Sequence, residues 1–78
     1  MLLKAGQLFR LTVDIIAIRP VGDRLGVVII PGGSLVLVEK FPCDDDDRMA
    51  DASWDGEPVA VFGRDLFERG EEIKDLNN

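Results

Sequence analysis

The chain has 78 residues and a formal net charge of −6, and it contains no His. A domain of this size is marginally stable alone and commonly depends on disulfides, metals or oligomerisation. Cys43 is the only cysteine, which excludes an intrachain disulfide and a zinc site of the usual Cys and His composition. The acidic balance disfavours binding to the phosphate backbone of nucleic acids. Oligomerisation is therefore the expected source of extra stability.

The sequence also bounds the location of the protein. The opening segment, MLLKAGQLF, becomes polar too soon for a signal peptide. No apolar run approaches the ~18 residues of a membrane-spanning helix. One unpaired cysteine suits a reducing compartment. We therefore expect a cytoplasmic protein that binds neither membranes nor nucleic acid.

The first structural signal is an alternating segment at residues 8–18, LFRLTVDIIAI. Its apolar and polar residues fall on opposite faces as far as Ile15, which predicts a half-buried strand. The alternation breaks at Ile15-Ile16, which predicts a bulge or a bend. Residues 19–26, RPVGDRLG, contain one Pro and two Gly and predict a loop.

Residues 27–38, VVIIPGGSLVLV, do not alternate: eight of the twelve are Val, Ile or Leu. They predict strands at 27–30 and 35–41. The PGGS segment between them either closes a hairpin or bends between two sheets, and the sequence leaves both possibilities open. In a strand with one solvent-exposed face, apolar and polar residues alternate. These strands lack that alternation, so both of their faces are apolar. One small core covers a single face, so the other face requires a partner.

The firmest local prediction is a hairpin over residues 48–62. Asp55-Gly56 is typical of a type I′ turn. The flanking segments alternate in phase with that turn, which determines the register. The predicted pairs are Trp54 with Glu57, Ala52 with Val59, Ala50 with Val61, and Met49 with Phe62.

The C-terminal part predicts less regular structure. Residues 64–69 predict one helical or 3₁₀ turn that ends at Gly70. Residues 71–74 predict a short last strand, and residues 75–78 a frayed tail. The whole pattern predicts a single all-β domain over residues 1–74, a small five-stranded open barrel with one short helical turn.

From about residue 28 to residue 66, the order of these features resembles the bacterial Src-homology-type barrel. In that family a Pro-x-Gly-Ser segment precedes a strand, a loop, a strand, a Gly-containing hairpin and a closing strand. The matching positions here are Pro31-Gly32-Gly33-Ser34, residues 35–41, an acidic loop at residues 43–47, residues 48–54, Asp55-Gly56, residues 58–62 and Leu66. The resemblance implies a fold type and no particular activity.

A second resemblance concerns assembly. Type II dihydrofolate reductases are chains of similar length and barrel type that form tetramers around one pore. Their Val-Gln-Ile-Tyr-Pro active-site strand is similar to Val59-Ala60-Val61-Phe62-Gly63, although Ala60 and Phe62 replace the Gln and the Tyr. Short bacterial proteins of unknown function, some carried on mobile gene cassettes, are also similar to this chain.

No catalytic, cofactor or metal site is predicted. Asp44 to Asp47 form an unspaced acidic run, which indicates a solvated loop because adjacent carboxylates cannot enclose one ion. The carboxylates between residues 65 and 72 lie in the most charged part of the chain, which predicts a solvated surface. Cys43 has no His to activate it as a nucleophile.

The candidate functional residues are therefore those of an interface. We expect a homo-oligomer that acts as an interaction module for a protein or small-molecule ligand; the alternative is an oligomeric enzyme with an active site between subunits. For Met49 and Phe62, either the helical turn with Phe67 folds over them or another chain does. The candidate interface residues are Ile29, Leu35 and Leu37 first, and Met49, Phe62 and Phe67 second.

Overall fold

A computed structural model of the chain describes residues 4–40 and 49–74. Within these residues, seven strands form a single antiparallel sheet with the order β3-β2-β6-β5-β4-β1-β7, and the sheet does not close. One short helix accompanies the sheet. The all-β class with one short helix is confirmed. The elements are β1 (Leu8–Leu11), β2 (Ile15–Val21), β3 (Arg24–Ile30), β4 (Leu35–Lys40), β5 (Met49–Trp54), β6 (Glu57–Phe62), α1 (Gly63–Arg69) and β7 (Gly70–Ile73).

The prediction of a five-stranded open barrel is wrong in its strand count. The predicted strand at 8–18 is divided into β1 and β2 by residues 12–14. The predicted bulge or bend at Ile15-Ile16 is wrong, because these two residues pair in continuous register with Ile30 and Ile29. The predicted loop at 19–26 is instead a hairpin of β2 and β3 around the two-residue turn Gly22-Asp23. Val21 and Arg24 close the turn as a hydrogen-bonded pair, so the next pair, Pro20 with Leu25, is a non-hydrogen-bonded pair. Pro20 is tolerated there because β3 requires no N–H from β2 at that position.

The segment at residues 31–34 does not close a hairpin, because β3 and β4 are not neighbours in the sheet. It forms a tight turn in which the Ser34 N–H donates to the Pro31 carbonyl at 3.1 Å. Gly33, with φ of +89°, occupies the position of a type II turn that requires a left-handed backbone. The Gly32 N–H donates to Asp14 Oδ1 at 2.8 Å. The turn is thereby held against the connection between β1 and β2.

We expect Gly32→Ala to lower the free energy of unfolding by about 1–3 kcal/mol. A Cβ at residue 32 would lie 3.0 Å from the Cα of Val13 and 3.3 Å from the carbonyl oxygen of Thr12. Both are backbone atoms, which cannot move aside as the end of a flexible side chain can. Gly33→Asn is the control, because Asn tolerates the left-handed region and nothing lies within 4 Å of a Cβ there. Urea unfolding of both variants measures the difference; equal losses would contradict the close approach.

The predicted hairpin at residues 48–62 is confirmed for the part that the structure describes. All four predicted pairs occur, including Ala52 with Val59. Asp55 and Gly56 both have positive φ, 56° and 77°, as a type I′ turn requires. Asp51 and Pro58 point to the exposed face. Local turn chemistry and alternation therefore agree with the tertiary structure.

The core lies on the inner face of the sheet, and α1 contributes Leu66 to it. The predicted helical turn at 64–69 is confirmed as part of α1, and the predicted last strand as β7, which pairs with β1. Phe67 of α1 packs edge-to-face on the buried Phe9, with ring centroids 6.2 Å apart. The buried hydrophobic residues are Phe9, Leu11, Ile15, Ala17, Ile30, Val36, Val38, Ala50, Ala52, Val59, Val61 and Leu66.

Candidate interaction surface

The outer face of the β2–β3 hairpin is entirely apolar. Its cross-strand pairs are Ile16 with Ile29, Ile18 with Val27, and Pro20 with Leu25. Alternation along each strand places all of these side chains on one face, away from the core. We call this set the apolar ladder; it consists of Ile16, Ile18, Pro20, Leu25, Val27 and Ile29.

The apolar ladder is exposed to an unusual degree for aliphatic side chains. Leu25 and Val27 are 76% and 74% exposed, and Ile29 and Ile16 are 60% and 57% exposed. Their neighbours in the chain, such as Ala17 and Ile30, point inward and are fully buried. Because both faces of these strands are apolar and one core covers only the inner face, the ladder remains uncovered by the described part of the chain.

Phe62 extends the ladder across β6. β2 and β6 pair at Ile18 and Ala60, and continuing that register places Phe62 beside Ile16. Phe62 is 44% exposed and lies opposite the half-buried Met49. A groove of about 380 Å³ separates this apolar surface from α1; its lining comprises Asp14, Ile15, Ile16, Ile29, Phe62, Asp65 and Arg69.

The predicted interface residues divide into separate groups. Ile29 and Phe62 belong to the same surface, together with Met49. Leu35, 45% exposed, and Leu37, half-buried, share the outer face of β4. The sheet order places β6 and β5 between β4 and the hairpin, so the structure does not bring these two leucines next to Ile29.

Phe67 lies away from the other predicted interface residues. Its ring packs on Phe9 on the core side, so α1 does not use Phe67 to cover Phe62. The sequence left two possibilities open for Met49 and Phe62: the helical turn with Phe67 covers them, or another chain does. The structure does not show the helical turn covering them. Phe62 remains nearly half exposed among the described residues, and the second possibility, that another chain covers it, stays a prediction.

A cleft of about 550 Å³ opens where β2 and β6 separate. The Ile18–Ala60 bridge is the single pairing between these strands in the described residues, and continuing its register places Pro20 opposite Pro58. Neither proline has an N–H to donate, so the ladder of hydrogen bonds ends there. The lining is mostly apolar and comprises Ile18, Pro20, Leu25, Glu39, Met49, Asp51, Ala52, Pro58, Val59 and Ala60.

The cleft combines a mostly apolar lining with two negatively charged side chains. Glu39 and Asp51 are its two carboxylates, and both residues are exposed. An apolar cleft with carboxylates at its rim suits an apolar group that carries a positive charge. Apart from these two acids, the described lining holds no side chain that could act as a nucleophile or a general base.

Several residues considered in the sequence lie elsewhere. Cys43, the acidic run at 44–47 and the predicted tail at 75–78 lie outside the described residues. Asp65 approaches Arg69 within α1 at 4.0 Å, and Glu71 and Glu72 lie exposed on β7. Across residues 4–40 and 49–74, no three His, Cys, Asp or Glu residues are placed to hold a metal ion.

Most of the apolar ladder is missing from the sequence-based candidates, which contain only Ile29 of its members. The predicted loop at 19–26 contains Pro20 and Leu25 and so leaves both residues out of the predicted strands. A usable signal was nevertheless present, because residues 15–18 read IIAI and lack alternation just as residues 27–30 do. Two such segments joined by a short turn are typical of a hairpin with two apolar faces.

Comparison with family models, curated proteins and solved structures found no match for this chain. No helix in the described part of the chain is long and apolar enough to cross a membrane.

Proposed function

We propose that this chain is a self-associating interaction module whose subunits meet through the apolar ladder. The observation that carries the proposal is the exposure of four large aliphatic side chains on one face: Ile16, Leu25, Val27 and Ile29. Contiguous exposed apolar surface on a small domain is typical of an interaction site. Phe62 adds an aromatic side chain at the border of the same surface.

The free energy available from covering this surface is large relative to the stability of a small domain. Full burial of an aliphatic side chain contributes about 1.5–3 kcal/mol relative to exposure. Whole domains are stable by only about 5–15 kcal/mol. Covering several ladder residues in each subunit therefore supplies a substantial driving force for association.

A second copy of the chain is the occupant that suits this face. Ladder side chains carry no charge and no hydrogen-bonding group, so two identical faces can pack together without burying an unpaired charge. Two sheets pack face to face at about 10 Å through interdigitating apolar side chains. A two-fold axis is the commonest way for one surface to contact its own copy.

The cleft between β2 and β6 is where we place the ligand of the module. Ile18, Pro20 and Leu25 belong to both the ladder and the cleft, so association would order one wall of the ligand site. The remaining wall includes Glu39 and Asp51, and we expect the cleft to select an apolar group with a positive charge, in a protein side chain or in a small molecule.

The proposal is tested by the mass of the protein in solution. Light scattering at several concentrations should give at least twice the 8.6 kDa of one chain, with dissociation only on dilution. Sedimentation equilibrium checks the same quantity independently. A well-folded protein that remains a single chain at the highest concentrations would overturn the proposal.

A further inference from the structure

Among the residues that the structure describes, β3 pairs with β2 alone and so forms an edge of the sheet. Val21 and Arg24 close the two-residue turn of the β2–β3 hairpin, and the closing pair of such a turn is hydrogen-bonded. Hydrogen-bonded and non-hydrogen-bonded pairs then alternate along an antiparallel hairpin. The backbone N–H and C=O groups of Leu25, Val27 and Ile29 consequently point away from β2, toward the open side.

The same three residues also carry exposed side chains of the apolar ladder. At this edge, the backbone groups that no described residue pairs and the aliphatic side chains that no described residue covers therefore belong to the same three residues. β3 has seven residues, and its segment 25–30, LGVVII, contains neither charge nor Pro. Natural sheets usually protect such an edge with charges, prolines or short strands.

The opposite edge of the sheet is protected in that usual way. β7 has four residues, and its sequence GEEI places Glu71 and Glu72 at its centre. Charged side chains on a short strand discourage pairing with another sheet. The contrast between the two edges within one small sheet singles out β3 as the edge that is suited to pairing.

We propose that two copies of this chain join β3 to β3 in antiparallel orientation, with the two-fold axis at Val27. This inference rests on the proposed self-association and specifies its geometry. Val27 then pairs with Val27 of the second copy, and Leu25 pairs with Ile29 of the second copy. Every outward N–H and C=O of these three residues finds a partner.

This register is compatible with the side chains as well as with the backbone. Arg24 falls opposite Ile30 of the second copy, so no two like charges face each other across the join. Directly opposed residues point to the same face of a sheet, so the two apolar ladders become adjacent. The joined ladders can pack on a second pair of subunits, and we expect an even number of chains in the assembly.

Disulfide cross-linking tests the register directly, in a Cys43→Ser chain that has no other cysteine. Opposed residues in a hydrogen-bonded antiparallel pair have Cα atoms about 5.5 Å apart, within the reach of a disulfide. Val27→Cys should therefore form a covalent dimer on mild oxidation, read on a non-reducing gel. Leu25→Cys alone should not, although Leu25 is slightly more exposed than Val27.

Mixing two variants provides the matched control. In the proposed register, Leu25 lies four residues along the strand from Leu25 of the second copy, about 13 Å away, too far for a disulfide. Leu25→Cys mixed with Ile29→Cys should nevertheless cross-link, because these positions oppose each other. Efficient cross-linking of Leu25→Cys alone, or none in the mixture, would overturn the register.

A backbone variant tests the pairing without a covalent bond. Val27→Pro removes the outward N–H of residue 27, which β2 does not use, and Pro is tolerated on edge strands. Val27→Ala removes most of the side chain but retains the N–H. We expect Val27→Pro to raise the dissociation constant at least tenfold above that of Val27→Ala; equal dissociation constants would overturn the edge pairing.

The possible results separate this inference from the proposed function. An oligomer in which Val27→Cys fails to cross-link would overturn the β3 pairing and leave face-to-face association through the ladder in place. A monomer at all concentrations would overturn both. Circular dichroism of Val27→Pro and Val27→Ala confirms that each variant is folded before its mass is compared.

Discussion

Replacing Ile29 with lysine should convert the assembled protein to a single chain of 8.6 kDa. Ile29 is 60% exposed and lies in the apolar ladder on the edge strand β3. A two-fold interface would contain the lysine twice, and each copy would lose about 1.5–3 kcal/mol of apolar burial and leave an ammonium group without a partner. We expect the dissociation constant to rise about a thousandfold or more, which corresponds to about 4 kcal/mol.

Val21→Lys is the matched control for this variant. Val21 is 56% exposed and belongs to the same hairpin, but alternation places its side chain on the face opposite the ladder. Both lysines would be solvated in a monomer, so neither should change the folded chain. If light scattering gives the same mass for Ile29→Lys, Val21→Lys and the unaltered protein, the ladder is not the interface.

The second large effect concerns stability. Leu66→Ala should lower the free energy of unfolding by about 3 kcal/mol, because truncating a buried Leu loses apolar burial and leaves a cavity. Leu66 is fully buried and is a member of the core that α1 contributes. In a chain of this size, such a loss should lower Tm by more than about 10 °C.

Leu66→Met is the control, because it nearly preserves the volume of the side chain and should cost less than about 1.5 kcal/mol. Both variants should be unfolded at one fixed protein concentration, since dissociation of an oligomer makes Tm depend on concentration. A loss of less than 1 kcal/mol in Leu66→Ala would mean that α1 is not packed into the core as described.

The parts of the fold that could be predicted from the sequence are those governed by short-range chemistry. Asp55-Gly56 adopts the backbone of a type I′ turn, and the alternation of the flanking residues agrees with it, so the β5–β6 register was correctly predicted. The helical segment that ends before Gly70 was predicted for the same kind of reason. In these cases, neighbouring residues alone determine the structure.

The loop predicted at 19–26 shows where local reasoning fails. Pro20 and two glycines are typical of a loop, yet these residues form a hairpin. Pro20 is acceptable in β2 because no N–H is required at its position. Leu25 of β3 forms no hydrogen bond with it, and the described pairing of β2 with β6 does not extend beyond Ile18. Whether a proline disrupts a strand thus depends on the hydrogen bonds required at its position, which only the sheet order reveals.

By itself, the sequence determined that the chain is mostly β and that residues 27–38 are apolar on both faces. Only the tertiary structure decided which apolar face is buried and which residues lie together on the uncovered one. Leu35 and Ile29 look equivalent in the sequence, but the sheet order separates them and brings Ile16 beside Ile29 instead. The physical reason is that alternation determines the two faces of a strand, whereas its neighbours depend on long-range packing of the whole sheet.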